Sequence, residues 1–202
     1  MADISLLLWD VGGVVLSNGW DQHARAAAAE RFGLDRAELE RRHLLVEDAF
    51  ETGRLDWAGY LSATVFYESR PFSPEAFRQF MLDQSRENPA ALATARTLKM
   101  SGRYTMAALN NESRELNEYR IRTFGLRDAF HVFLSSCYTR LRKPDPAAFR
   151  FALDLAQRPP EEALFLDDRP ENVAAAACLG LRTLQVRDPG QLREELVQIG
   201  VA

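Results

Sequence analysis

Asp10, Asn110, Lys143 and the adjacent pair Asp167-Asp168 are the residues of this chain whose types and placement could do chemistry together. Asp10 closes the apolar run 4–9 and precedes Gly12-Gly13. Asn110-Asn111 closes the run 104–109, and Asp167-Asp168 the run 163–166. Three carboxylates brought into contact repel one another, and some take up protons. A divalent cation removes that conflict. Oxygen ligands with no Cys or His nearby suit Mg²⁺ rather than zinc. Lys143 adds a fixed positive charge, and Asn110 and Asn111 add amide donors. Gly12 and Gly13 let backbone approach a ligand closely. A metal, a lysine and amide donors facing a carboxylate describe a phosphate site with an aspartate nucleophile.

These residues form one site only if the apolar runs are strands of one sheet. Each run is too short for a helix and ends in turn residues, so each reads as a buried strand. Residues 131–134 and 182–186 read as two more. Helices are expected over 90–100, from about Glu112 to Phe124, from the Lys143-Pro144-Asp145-Pro146 loop to about Gln157, from Pro170 to Gly180, and over 190–198. Short apolar strands alternating with helices predict a parallel sheet covered on both faces. In an open parallel sheet, ligands bind outside the carboxyl ends of the strands. Asp10, Asn110, Asp167-Asp168 and the loop lysine Lys143 all fall at that edge.

The stretch from Asp21 to about Glu87 is instead almost wholly helical in pattern. Asp21 caps a helix through Arg31, ended by Gly33. Asp35 with Glu38 makes a capping-box-like start for a helix to about Glu51, ended by Gly53. Asp56 opens another, to about Tyr67. Ser73-Pro74 places a cap and a first-turn proline before a helix through Gln84. Residues 14–19 read as a short hairpin or flap. The expected organisation is an α/β core of residues 1–17 and 88–202 with a helical insert over 18–87.

Composition excludes several other classes. The 202 residues suit one core plus a small insert. Lys and Arg total 25 against 29 Asp and Glu, a net charge of −4, without the clustered positive charge that nucleic acid or acidic membrane requires. Two cysteines, Cys137 and Cys178, cannot build a disulfide scaffold or a four-cysteine zinc site, and they suit a reducing compartment. The opening Met1-Ala2-Asp3 lacks a basic residue, and Asp10 breaks the apolar run behind it, unlike a secretory signal. No stretch has the roughly 18 apolar residues of a membrane span. The expectation is a cytoplasmic protein, monomer or homodimer, acting on a small molecule without nucleic-acid or membrane partners.

In order along the chain, Leu7-Leu8-Trp9-Asp10-Val11-Gly12-Gly13-Val14, Leu109-Asn110-Asn111, Arg142-Lys143-Pro144 and Phe165-Leu166-Asp167-Asp168 resemble the four motifs of the haloacid dehalogenase superfamily. The resemblance covers essentially the whole chain, and the helical block is similar to the cap of the phosphatase-like subfamily. It implies a Rossmann-like three-layer α/β core with a five-stranded parallel sheet of order 3-2-1-4-5, and a mobile all-helical cap over the site. It further implies a Mg²⁺-dependent phosphatase of a small phosphorylated metabolite, in which Asp10 attacks phosphorus and forms an aspartyl-phosphate. By the same carry-over, Asp10, the Gly12 carbonyl and Asp168 hold the metal, with Asp167 bound directly or one layer out and Asn172 in support. Asn110 and Lys143 hold the phosphoryl oxygens and the nucleophile, and Gly13 and Asn111 line the substrate.

Two positions depart from the family pattern. Phosphatases of the family usually carry an aspartate two residues after the nucleophile, as acid and base for the leaving group and water. Here that residue is Gly12. Losing a positioned acid/base costs about 10²–10⁴-fold, so reduced activity is expected. Metal binding is spared, because that position contributes a backbone oxygen. Asn110 stands where Ser or Thr is usual, and its amide can still reach a phosphoryl oxygen. Glu112, Asp21 and His23 are candidates to supply the missing proton, and nothing in the sequence selects among them. Trp20 and His23, nearest the first motif, are the substrate-facing candidates of the insert. Phe50, Trp57, Tyr60 and Phe66 fit its core. Arg140 and Arg142 either attract an anionic substrate or are solvated. The alternative functions are a 2-haloacid dehalogenase, which shares the nucleophile but needs no metal, and a non-catalytic binding or regulatory protein on the same scaffold.

Overall fold

Leu6–Trp9 (β1) is apolar throughout and fully buried, as a strand covered on both faces must be. In the computed structural model, which describes residues 3–201, β1 pairs in parallel with Thr105–Ala108 (β2) on one side. The other strands are Val132–Phe133 (β3), beside β2, Ala163–Asp167 (β4), beside β1, and Arg182–Gln185 (β5), beside β4. The result is the expected five-stranded parallel sheet, in the order β3-β2-β1-β4-β5. Residues 1, 2 and 202 lie outside the described residues, and so do the reading of Met1-Ala2 and the outer ends of the expected core. Among the described residues no helix is long and apolar enough to cross a membrane.

The helices, in chain order, are Gln22–Phe32 (α1), Arg36–Glu51 (α2), Trp57–Thr64 (α3), Pro74–Asp83 (α4), Pro89–Met100 (α5), Arg114–Thr123 (α6), Ser136–Thr139 (α7), Pro146–Ala156 (α8), Pro170–Cys178 (α9) and Leu192–Gln198 (α10). Alternation along β1 sorts them into layers. Leu7 and Trp9 pack with Leu92 and Leu98 of α5 and Leu192 and Leu196 of α10. Leu6 and Leu8 face the other way, toward Phe149 and Ala152 of α8 and Ala176 of α9.

Helices α1 to α4 build a third cluster, from Trp20, Phe50, Trp57, Tyr60, Phe77 and Met81, joined by Leu116 of α6. Polar caps start each of the four: Asp21, Asp35, Asp56 and Ser73 each accept a first-turn backbone N–H. Phe50, Trp57 and Tyr60 are interior as expected, and Phe66 packs against them half-buried. Tyr60 ties the cluster together. Its ring stacks on Phe50 at 4.0 Å, and its hydroxyl accepts from Trp20 Nε1 at 2.6 Å and meets His43 Nδ1 at 2.9 Å.

The structure redraws several expected boundaries. α3 stops at Thr64 rather than Tyr67, because Val65 and Phe66 both bond back to the Leu61 carbonyl and the Arg70 side chain takes the Val65 carbonyl. Only half the capping box forms at α2, since the Glu38 carboxylate binds Arg41 and Arg42 instead of reaching back. α6 begins at Arg114, not Glu112; the Glu112 N–H bonds Ser136 Oγ, and its carboxylate accepts the next N–H. β3 is two residues long, held at each side by His131 N to Met106 O and Leu134 N to Ala108 O. Residues 14–16 turn tightly back onto the Val11 carbonyl, and Leu16 then bridges to Glu87, so the expected flap is a turn stapled to the segment before α5.

Tyr60→Phe keeps the ring and removes the hydroxyl that satisfies two buried nitrogens. Urea denaturation is expected to show a loss of about 1–3 kcal/mol, the cost of an unpaired buried donor, with an unchanged m value.

Candidate active site

The registers of β1, β2 and β4 bring their ends level. Trp9 lies opposite Ala108 and Leu166, so Asp10, Asn110 and Asp167 emerge from adjacent strands. Ligand atoms of Asp10, Asp167 and Asp168 lie within 4.8 Å of one another. Lys143 Nζ sits between two of these carboxylates, 3.0 Å from Asp10 Oδ1 and 2.5 Å from Asp167 Oδ2. Three stretches that are far apart in sequence, carrying Asp10, Lys143 and the Asp167-Asp168 pair, thus meet at the edge where they were expected.

The surrounding polar groups fix this cluster. Asn111 clamps the Lys143 backbone, donating from Nδ2 to its carbonyl at 2.8 Å and accepting its N–H at 2.9 Å. Asn172, on α9, donates to both Asp167 oxygens at 3.0 and 3.1 Å, and the Arg169 N–H reaches Oδ1 at 2.8 Å. Asp167 is therefore saturated by protein donors. Asp10 is not: Oδ1 accepts from the Val11 N–H at 2.7 Å as well as facing Lys143, while Oδ2 carries no hydrogen bond among the described residues. Asp168 Oδ2 accepts from Asn18 at 3.2 Å, and its buried Oδ1 has no partner. Gly13 makes room for it. Its φ is +72°, and a Cβ there would overlap the Asp168 carboxylate.

Burial and crowding set the proton affinities. Burial, reinforced by Asp167 and Asp168, raises Asp10 from the usual carboxylate range to about 7 against the pull of Lys143. Burial also raises Asp168, opposed by the Asn18 hydrogen bond. For Lys143 burial acts downward, but Asp10 and Asp167 outweigh it and hold the ammonium charged. Three carboxylates against one ammonium leave a deficit of two positive charges. The orphaned oxygen on Asp168 faces that deficit beside the Asp10 carboxylate. An oxygen-binding divalent cation such as Mg²⁺ fits this donor set.

A cavity of about 470 Å³ opens over the cluster. Asp10, Gly12, Asn111 and Lys143 line its floor, and Trp20, His23, His43, Glu47 and Glu51 its far walls. Several expected roles change here. Asn110 is buried, donates to Asn117 Oδ1 at 3.2 Å and accepts from Ser135 Oγ at 2.8 Å, so its amide is used inside the protein rather than offered to a phosphoryl oxygen. Gly13 is a space-maker for Asp168 and does not line the cavity. Asn111 lines the cavity, but its amide positions Lys143. Trp20 and His23 both border the cavity; Trp20 gives its N–H to Tyr60, and His23 is exposed. Arg142 is neither solvated nor facing substrate: it binds Glu51 at 2.7 Å and lies near Glu47 and Asp48, while Arg140 bonds the Thr52 carbonyl. The sequence reading missed Asn18, Arg120, His43, Glu47 and Glu51, which no spacing from the motifs singles out.

Comparison with known proteins agrees with this arrangement. The family model described as haloacid dehalogenase-like hydrolase matches residues 4–180. The rat protein bifunctional epoxide hydrolase 2 is 31% identical over 128 residues, covering 62% of this chain but 23% of that protein, so the match spans under a quarter of that relative's length. Flavin mononucleotide hydrolase 1 of Arabidopsis thaliana is 27% identical over 205 residues, covering 98% of this chain and 78% of that one. A magnesium complex of a HAD family enzyme from Bacteroides thetaiotaomicron superposes with a TM-score of 0.78 over 95% of this chain and 99% of that one. At 21% identity it attests the fold alone.

The raised affinity of Asp10 for a proton has a stability consequence. The unfolded aspartate ionises near 3.8 and the folded one near 7, so the metal-free protein loses stability as pH rises through that window. Asp10→Asn removes the penalty. Without Mg²⁺, its melting temperature is expected to exceed wild type by roughly 2–4 °C per kcal/mol relieved at pH 8, and to match wild type near pH 4. Equal differences at both pH values would contradict a strained carboxylate.

Proposed function

This chain belongs to the haloacid dehalogenase-like hydrolases, and from that we propose that it is a Mg²⁺-dependent phosphatase of a small phosphorylated metabolite, working through an aspartyl-phosphate on Asp10. One observation carries the reading: Asp10 has one oxygen pinned by Lys143 and Val11 and the other unbonded, beside an Asp168 oxygen that lacks any partner. The pinned oxygen fixes the carboxylate plane, and the unbonded one is the nucleophile. Lys143 offers its ammonium to the phosphoryl oxygens while screening Asp10 from Asp167. Asn111 and Asn172 hold those two partners in place. Mg²⁺, held by Asp10, Asp168 and the Gly12 carbonyl with Asp167 behind them, supplies neutralisation of phosphoryl charge.

The helical block over 18–87 acts in this reading as a cap on the core of 1–17 and 88–202. Trp20 and His23 of that block border the cavity over Asp10, and Asn110 braces the second motif from inside. The function named for the Arabidopsis relative, hydrolysis of flavin mononucleotide, supports a small phosphorylated substrate. The two free thiols, Cys137 and Cys178, support a cytoplasmic setting. A dehalogenase has no use for the second carboxylate pair, and the unpaired Asp168 oxygen argues against it.

The test is phosphate release from an aryl phosphate with and without Mg²⁺, beside Asp10→Asn. Turnover is expected only with both the metal and Asp10. Metal-independent chloride release from 2-chloropropionate would establish the dehalogenase instead. Ligand binding without any turnover would make the chain a binding protein.

A further inference from the structure

The acid/base aspartate usual at position 12 is a glycine, yet the space beside it is not vacant. A Cβ built at Gly12 would point toward Asn18 Oδ1 at 3.2 Å and Arg120 Nη1 at 3.7 Å. That same Nη1 donates to Glu112 Oε2 at 3.1 Å. Arg120 is buried and fixed on its remaining sides, by Ser85 Oγ at 3.0 Å and by the Ser17 carbonyl. Gly19 is a glycine for the same reason, since a side chain there would overlap the guanidinium. Glu112 is held in turn, through its N–H to Ser136 and its Oε1 from Ser113. Glu112, Arg120, Gly12 and Asp10 all border the one cavity.

We propose that Glu112, oriented by Arg120, is the proton donor and acceptor that replaces the side chain absent at Gly12. The inference rests on the phosphatase reading. In the first step Asp10 Oδ2 bonds to phosphorus, the bond from phosphorus to the leaving oxygen breaks, and the Glu112 carboxyl proton passes to that oxygen, releasing an alcohol. In the second, water attacks the aspartyl-phosphate and gives its proton to the Glu112 carboxylate. The bond between phosphorus and Asp10 breaks, restoring Asp10 and releasing inorganic phosphate.

The environment suits a residue that must hold and lose a proton near neutrality. Glu112 is raised to about 7, chiefly by burial, with Arg120 on α6 opposing and Glu51 on α2 and Asp10 after β1 reinforcing. The fourth group nearby, the Cys137 thiol on α7, is pushed up to about 12 by burial and stays neutral. The other two candidates are otherwise engaged or placed. Asp21 and His23 border the same cavity, but Asp21 Oδ1 caps α1 by accepting from His23 N and Ala24 N, and His23 stands exposed on the first turn of that helix with no buried partner among the described residues to orient it.

The test compares leaving groups in Glu112→Gln, with Mg²⁺ and the full chain. An alkyl phosphate needs its leaving oxygen protonated, whereas 4-nitrophenyl phosphate does not. Glu112→Gln is expected to lose about 10²-fold in kcat on the alkyl ester. On 4-nitrophenyl phosphate it is expected to release a stoichiometric burst of nitrophenol and then stall as phosphoenzyme, visible in intact mass. Glu112→Asp, should the amide variant fold poorly, is expected to show the same selective loss to a smaller degree. Equal losses on both esters without a burst, or no loss on either, would overturn the assignment. Wild type that releases no phosphate from either ester would instead overturn the phosphatase reading beneath it.

Discussion

Charge imbalance at one edge of the sheet is the constraint around which the rest is arranged. Three carboxylates converge on a single ammonium, and burial, reinforced by the neighbouring carboxylates, raises Asp10 and Asp168. Such crowding destabilises a fold, and it persists here because the neighbours over-determine it. β1 and β4 pair along their whole length just before Asp10 and Asp167, so neither carboxylate can retreat without breaking the ladder. Asp167 is satisfied by Asn172, Arg169 N–H and Lys143, whereas Asp10 and Asp168 each keep an unused oxygen. The cluster thus divides one structural acid from two that remain available.

That division explains which polar residues moved away from their expected roles. Asn111 and Asn172 both act on a charged neighbour: one fixes the backbone of Lys143, the other the carboxylate of Asp167. Asn110 is drawn further inward, into a buried network with Ser135 and Asn117 that ties the end of β2 to α6 and α7. A side chain with two donors and an acceptor serves such a network better than a hydroxyl does. The amide that stands where Ser or Thr is usual is therefore used for support.

The strands and the meeting of Asp10, Lys143 and Asp167-Asp168 were legible in the sequence, because short apolar runs and their closing residues depend on local pattern alone, whereas the sheet order followed from the resemblance of the four motifs to the haloacid dehalogenase superfamily. The helix starts of the insert were legible for the same reason, since Asp21, Asp35, Asp56 and Ser73 act within one turn. What escaped was set by tertiary geometry. The pairing of Glu112 with Arg120 joins residues eight apart across a helix start that the pattern placed two residues too early. Arg142 looks like a free loop cation, and only the fold reveals that α2 presents Glu47 and Glu51 to it. Gly13 reads as a ligand-approach glycine, but its room is taken by Asp168.

The far wall of the cavity rests on the Tyr60 hydroxyl. The Tyr60 hydroxyl has one proton, and burial raises it beyond any physiological loss of that proton. It accepts from the Trp20 indole at 2.6 Å and meets His43 Nδ1 at 2.9 Å. The other ring nitrogen of His43, Nε2, lies 3.6 Å from Glu47 at the cavity wall. Glu47 is held well below the usual carboxylate range, to about 2, with His43 the largest influence and Arg142 also lowering it. The side of the cavity away from Lys143 therefore presents the edge of the His43 ring beside a permanent carboxylate. Hydroxyl groups, which both donate and accept, match that pair better than a second anionic group would.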